Sequence, residues 1–475
     1  MKANYIFEKL KKSILTSQEF RTRTYTKGDK TLHVISLETM CNDDKIAWYV
    51  TLPLAQTSDF EEKSLENCLA TSNLVDIPNV DKAKAMLANG NSLVLLMDSD
   101  FAKAVDTRTT LSRAVVEPPT SVVVKGPREG FVEDLKNNVT LLRKRMKSED
   151  FVVKTLSVGK YTNTEVAVCY VKSIASSDVC NEIIQRITSI DIDGVVDSHY
   201  LATYLQPKKS VLFRRVGYAE KPDIVAAKML EGRVAIVVDG SPIVLTVPYL
   251  FVEDLQNVGD YQINSEVTTF SRFFRVIAVL LSILLPAVYV SLQRFNYQII
   301  PLTFLVTILN ATENIPFSPL AEMLFVIIMF DILREATLLM PQAAGTALSL
   351  VGAVVLGEAA IKAGLLGAPA VMIGALSGIG LYNMPDNTLI LSLLRLIVTF
   401  LGGFMGLFGV IIAMLGVLAY GVSLDSFGTP YFAPFAPEIT NDRQDAIALK
   451  PLFKRKKRPQ SIKNVNATRM NQDEK

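Results

Sequence analysis

Arg275-Val276-Ile277-Ala278-Val279-Leu280-Leu281-Ser282-Ile283-Leu284-Leu285-Pro286-Ala287-Val288-Tyr289-Val290-Ser291-Leu292-Gln293-Arg294 holds 18 uncharged residues between two arginines. A helix crossing a hydrocarbon core of roughly 30 Å needs about 20 mostly apolar residues, so this stretch reads as a membrane span. Uncharged runs follow at Phe295–Thr312, Ala336–Gly357, Ala363–Pro385 and Leu396–Leu424, and Leu320–Met340 is apolar apart from four charges. Pro301 in the second run and the glycines of Ala363–Pro385 suggest short, kinked or re-entrant segments, which a membrane tolerates only under cover of protein or water. Four to six helices are expected. Between Val276 and Tyr420 only ten of 145 residues are charged, whereas the other 330 positions carry 86 charges, close to the usual soluble share of about 25%. The chain is a soluble half joined to a membrane half.

Working outward, no apolar leader precedes the soluble half: Met1–Phe20 is charged and amphipathic. Arg272 and Arg275 precede the first span, and Lys450, Lys454, Arg455, Lys456, Lys457, Arg458 and Lys463 follow the last. Basic flanks favour the cytoplasmic side, so both termini are expected there and the crossing number is expected to be even. With 49 Lys+Arg against 47 Asp+Glu, no nucleic-acid partner is indicated. The four cysteines Cys41, Cys68, Cys169 and Cys180 have no CxxC spacing, which fits a reduced compartment and no metal cluster.

Within the soluble half, β-branched runs predict strands at Thr31–Leu37, Ile46–Leu52, Ser92–Met97, Ser121–Val124, Phe151–Leu156, Glu165–Val171, Val211–Val216, Arg233–Val238 and Ile243–Val247. Helical periodicity predicts helices at Phe60–Ala70, Val80–Ala88, Arg128–Lys147, Ser177–Thr188, Asp197–Leu205, Pro222–Leu230 and Pro248–Val258. The expected class is an α/β cytoplasmic N-terminal region of two lobes, followed by an α-helical multi-pass transmembrane domain. The expected divisions are an extension 1–30, lobes 31–147 and 150–266, a membrane domain 270–424, and an aromatic, proline-rich segment with a flexible basic tail at 425–475. The two lobes show no repeat of sequence.

Searches for chemistry are empty. There is no GxxxxGK[ST] and no GxGxxG after a strand, so no phosphate cradle is signalled. His33 and His199 stand 166 residues apart and lack partners for zinc. No catalytic residue, cofactor or metal is expected.

Four stretches are more specific. The first runs from Val124-Lys125-Gly126-Pro127-Arg128-Glu129-Gly130-Phe131 to Arg145 and the second from Leu212-Phe213-Arg214-Arg215-Val216-Gly217-Tyr218 to Pro242. The third is Asp331-Ile332-Leu333-Arg334-Glu335-Ala336; the fourth is Phe427-Gly428-Thr429-Pro430-Tyr431-Phe432-Ala433-Pro434-Phe435-Ala436-Pro437. Acids early and bases late in 128–147 complement a helix dipole, so Arg128, Glu129, Arg143 and Arg145 are candidate subunit contacts or simply a charged surface. Three prolines forbid a helix over 430–437 and suggest an extended aromatic clasp at the cytoplasmic interface, packing on the soluble domain. In this order and spacing, from about Leu93 to Glu438, the four stretches resemble the A subunit of the GerA-type germinant receptors of endospore-forming bacteria, and also the paralogous SpoVAF protein.

Ionisable residues among apolar helices are functional candidates. Glu322, Asp331, Arg334, Glu335, Glu358 and Lys362 are candidates for an ion pathway. Glu358 and Lys362 form a self-neutralising i,i+4 pair, while Asp331, Arg334 and Glu335 set two acids against one base. Gly374-x-x-x-Gly378 and Gly402-x-x-x-Gly406 suit close helix packing. What the resemblance implies is an oligomeric, ligand-gated cation channel in the spore inner membrane, working with a permease-like, nutrient-binding B subunit and a lipoprotein C subunit. The alternatives are an accessory channel of the SpoVAF type, a transporter, or a non-conducting scaffold of the receptor.

Overall fold

The computed structural model describes residues 2–13, 19–57, 59–69, 71, 74–109, 126–206, 212–340 and 357–470. The expected strand Ser121–Val124 and most of the run Ala336–Gly357 lie outside the described residues.

Ten strands of the N-terminal region form two sheets. β1 (Phe20–Lys27), β2 (Lys30–Leu37), β3 (Leu74–Asp76), β4 (Asn91–Leu96) and β5 (Ala102–Asp106) are ordered β1-β2-β4-β5-β3. β6 (Phe151–Val158), β7 (Thr164–Val171), β8 (Gly217–Ala219), β9 (Val234–Val238) and β10 (Val244–Val247) are ordered β6-β7-β9-β10-β8. All pairings are antiparallel. Counted from its own first strand, each sheet runs 1-2-4-5-3, so the lobes repeat one topology without a repeated sequence. Helices Lys2–Ser13 and Val80–Ala88 in the first lobe correspond in order to Leu135–Arg145 and Pro222–Met229 in the second.

Both faces of each sheet are covered. Leu93 and Leu95 pack with Ile6, Leu10 and Leu87, while Val94 and Leu96 pack with Leu54, Phe60 and Leu65. Ala235 and Val237 share a core with Val139 and Met229; Ile236 and Val238 share another with Ile183 and Leu201. Strands buried on both sides become unbroken apolar runs, and those are the strands that the sequence analysis locates.

Several expectations are corrected. Residues 1–30 are no extension, since Lys2–Ser13 packs Ala3, Ile6 and Leu10 into the first lobe and β1 forms its edge. The lobe boundary moves from 147–150 to before Leu135, because Leu135, Val139 and Leu142 sit in the core of the second sheet. The helix expected over Arg128–Lys147 is confined to Leu135–Arg145, where the Asp134 side chain caps it by accepting the Asn137 N–H at 2.7 Å. Ile46–Leu52 is helical rather than extended: Asn42 caps the preceding turn and Val50 and Leu54 bury one face. No strand forms over 212–216, and Pro248–Val258 resolves into two 3₁₀ turns, Phe251–Leu255 and Val258–Gln262.

The apolar region contains helices Ser265–Arg294, Leu302–Thr312, Pro319–Leu339, Gly357–Lys362, Ala368–Leu381 and the continuous assignment Thr388–Val422. Among the described residues, two helical segments are long and apolar enough to cross a membrane, Ser265–Arg294 and Pro385–Val422. The second reverses at Gly406, whose φ of 65° and ψ of −154° belong to a region essentially restricted to glycine. Past the turn the chain returns on itself: a Cβ on Gly409 would strike the Leu401 carbonyl, and one on Gly402 would crowd Val410. Both ends of this hairpin reach the second lobe, Asp386 through Arg214 at 3.0 Å and Tyr420 through the Leu212 N–H at 2.9 Å. Its legs, 388–405 and 407–422, are about 27 and 24 Å long at ~1.5 Å per residue.

The segment after the hairpin is not a free tail. Residues 425–470 wrap the second lobe: Leu250 and Val252 share a core with Ala433, Ala446 and Ile462. Ala175 and Asn464 form a β-bridge, and the Val465 N–H donates to the Ile174 carbonyl at 2.8 Å.

Candidate functional site

Two polar centres stand out, one among the apolar helices and one where those helices meet the second lobe. In the first, Asp331 of helix Pro319–Leu339 accepts from Arg395 Nη2 of the hairpin at 2.9 Å and from Ser392, with Arg334 at 3.3 Å. Arg395 is fully buried and its other nitrogen donates to Ser377 Oγ at 3.0 Å. Ser377 in turn donates to the Ser282 carbonyl at 2.6 Å. One polar line therefore joins four helices. Arg395 is not among the sequence candidates because it stands at the edge of the run Leu396–Leu424, where it reads as a boundary charge. The surplus of acid over base in helix Pro319–Leu339 was the signal that a further base stood nearby.

The other candidates separate. Glu322 is buried and accepts the Gly367 N–H at 2.6 Å. Glu358 and Lys362 pair at 2.7 Å on an exposed surface. Glu335 is exposed, with no ion pair among the described residues. Gly374 lies where a Cβ would strike Val326, whereas open space faces Gly378. Gly402 approaches Ser291 and Ala287 closely, but Gly406 is the turn of the hairpin, so the two glycines do not share a helix face.

At the junction, Arg214 Nη2 donates to Asp254 at 2.6 Å, to Asp386 at 3.0 Å and to the Tyr249 hydroxyl at 2.6 Å, and the guanidinium lies 4.8 Å over the Tyr249 ring. Burial pushes the Asp254 carboxyl above the ordinary carboxylate range, with Arg214 opposing it. Tyr431, fully buried, stacks near Phe213 and gives its carbonyl to the Phe251 N–H at 2.9 Å. Ser426 Oγ accepts the Tyr249 N–H at 3.0 Å and donates to the Arg215 carbonyl at 2.9 Å. The stretches around Leu212 and Phe427, some 200 residues apart, are thus one structure. Alongside, Asp445 of the C-terminal strap binds Arg272 of helix Ser265–Arg294 at 2.9 Å and Arg455 at 2.6 Å.

Of the candidate subunit contacts near Arg128, one is internal to the chain. Arg143 is buried, binds Glu19 at 2.5 Å and lies 4.5 Å over Phe151, so it joins the two lobes of one chain. Burial raises the Glu19 carboxyl, against the pull of Arg143. Arg145 pairs with Glu129 at 2.7 Å, and Arg128 is exposed.

These features define a class: a pair of α/β lobes tied by buried ion pairs to apolar helices that carry their own polar line. The chain belongs to the GerA family, whose model, described as Bacillus/Clostridium GerA spore germination protein, matches residues 6–461. Spore germination protein KA of Bacillus subtilis (strain 168) is 33% identical over 474 residues, 98% of this chain and 87% of that protein. The uncharacterized membrane protein YfkQ of the same organism is 31% identical over 415 residues, 87% of this chain and 81% of that one. A crystal structure of the N-terminal domain of the A subunit of a Bacillus megaterium spore germinant receptor aligns at a TM-score of 0.41 and 24% identity, covering 52% of this chain and 94% of that one.

Proposed function

We propose that this chain is the A subunit of a nutrient germinant receptor, whose copies assemble into a ligand-gated cation channel in the spore inner membrane. In this reading it crosses the membrane several times with both termini cytoplasmic, has no enzymatic role, and acts with a permease-like B subunit and a lipoprotein C subunit. The observation that carries it is the outer face of helix Pro319–Leu339. Ala321, Phe325, Ile328, Ile332, Glu335 and Leu339 are all exposed, at alternating spacings of four and three residues. That spacing gives the helix one continuous uncovered face, on which copies of the chain could pack in the manner of a 3.5-residue seam. A carboxylate within such a seam requires water or a partner when the helix is in lipid, and a ring of them concentrates cations. Membership of the spore germination family supports the same reading.

The test is reconstitution of the purified chain together with its B and C subunits in liposomes loaded with a cation-sensitive dye, to which a nutrient mixture is added. Flux of monovalent cations, with cross-links forming between copies carrying Ile332→Cys, is expected. Intact vesicles without flux, whether or not the copies cross-link, identify a scaffold.

A further inference from the structure

The C-terminal strap uses its arginines and lysines differently. Arg443 pairs with Glu438, Arg455 with Asp445 and Arg469 with Glu231, while Arg458 donates to the Leu230 carbonyl. Lys450, Lys454, Lys456 and Lys457 are all exposed and make no ion pair among the described residues. Between them Leu452 and Phe453 are 59% and 69% exposed, an uncovered apolar pair of adjacent residues. Lys454 Nζ lies 5.9 Å from the Phe453 ring centre, so charge and ring are presented together.

Their position along helix Ser265–Arg294 gives this surface a meaning. The Leu449 N–H donates to Thr269 Oγ1 at 3.0 Å, which pins the strap beside the start of that helix. The adjoining residues Phe270, Phe273 and Phe274 are 66%, 53% and 52% exposed and precede the uncharged run that begins at Val276. Exposed phenylalanines beside the end of a membrane helix are side chains that an interfacial segment buries at the headgroup–acyl boundary. From Val276 back to Thr269 is about 10 Å at ~1.5 Å per residue, a few Å outside a headgroup layer about 5–7 Å thick, a gap that the four residues from Leu449 to Phe453 are long enough to span at ~3.3 Å per residue.

We infer that residues 450–457 form a docking surface for anionic phospholipid, with Phe453 and Leu452 entering the acyl boundary and the four lysines meeting headgroup phosphates. The inference rests on helix Ser265–Arg294 crossing the membrane. The occupant is a bilayer rather than an acidic protein, because the surface is continuous with that helix and combines bulky apolar groups with lysine, the pairing of an interfacial anchor. Each lysine near an anionic surface strengthens binding about five-fold.

The test uses the full chain in bilayers of equal phosphatidylcholine and phosphatidylglycerol, with one or the other lipid brominated. Trp48 is the only tryptophan, so Trp48→Phe leaves a silent background for two reporters, Phe453→Trp and Leu281→Trp. Quenching of the Phe453→Trp reporter is expected to be at least about two-fold stronger with brominated phosphatidylglycerol. Changing Lys450, Lys454, Lys456 and Lys457 to Gln is expected to abolish that preference. If Leu281→Trp is quenched but Phe453→Trp is not, or if the preference survives loss of the lysines, the lipid anchor is wrong while the membrane span stands. If Leu281→Trp itself escapes quenching, helix Ser265–Arg294 is not in the bilayer, and the membrane reading falls together with the anchor.

Discussion

With Arg395 included, Asp331 is held by two bases and Glu335 is left alone on the outer face of its helix. The sequence alone leaves one carboxylate over by a count without Arg395; in the structure Glu335 is separated by direction and not by number. Neutralising it as Glu335→Gln is expected to lower cation flux per assembled complex, whereas Glu358→Gln acts on an exposed pair and is expected to leave flux within about two-fold, since exposed pairs contribute under ~1 kcal/mol. Unchanged flux in Glu335→Gln, measured in the liposome assay, removes this carboxylate from the ion path. A second buried acid governs stability instead. Burial alone raises the Glu253 carboxyl, but Arg233 at 3.1 Å, Lys228 at 2.6 Å and the Leu250 N–H together hold it below the ordinary glutamate value. A depressed carboxyl stabilises the fold above its unfolded pKa and loses that contribution as pH falls through the folded value. Glu253→Gln should therefore cost about 3 kcal/mol at neutral pH by leaving Lys228 unpaired and the buried Arg233 with Glu231 alone, and its deficit against the parent should shrink below roughly pH 4. Denaturant titrations from pH 7 to 3 read this directly, and a deficit constant with pH contradicts it.

Among the elements, the hairpin at Gly406 divides glycines that look alike in the sequence. A side chain at Gly406 must adopt a glycine-only backbone region and also meets Phe295 and Asn296 at 3.1–3.2 Å, so Gly406→Ala is expected to destabilise by about 1–3 kcal/mol. Gly378→Ala enters open space in a regular helix and should be neutral or slightly stabilising. Thermal melts in detergent compare them, and equal melting temperatures would refute the turn. The helices Val80–Ala88 and Ser177–Thr188 are legible to the residue, because their periodicity agrees with the faces they bury, and Asn79 caps the first. Edge strands are not: β1 reads Phe-Arg-Thr-Arg-Thr-Tyr-Thr-Lys, half exposed and without an apolar run. Nor is the hairpin, whose reversal rests on one glycine's dihedral angles inside an apolar stretch that reads as a single long helix. The polar line is legible only in part, since Asp331 and Arg334 lie on one helix while Arg395, Ser377 and Ser282 reach it from three others.

In the whole molecule the C-terminal strap is part of the second lobe, so the soluble half is incomplete when cut before the apolar helices. A fragment ending at Ser265 is expected to fold, with sheet cores intact, but to expose Leu250 and Val252. Joining residues 425–470 to it through a flexible linker should raise the melting temperature by at least ~5 °C, taking ~2–4 °C per kcal/mol for a domain of this size. No gain on joining shows that the strap is held by the helices and not by the lobe. Legibility fails here because a charged, proline-rich tail has no periodicity, and its partners are about 200 residues away. The same strap also sets an order of events in the cell. Val252 leaves the ribosome about 190 residues before Ala446, roughly 10–40 s at 5–20 residues per second. During that interval the second lobe waits with its closing surface bare, and every apolar helix is synthesised before the strap arrives. A chain stalled or cleaved inside the helices therefore keeps Leu250 and Val252 uncovered, a mark by which proteolysis can separate unfinished copies from finished ones.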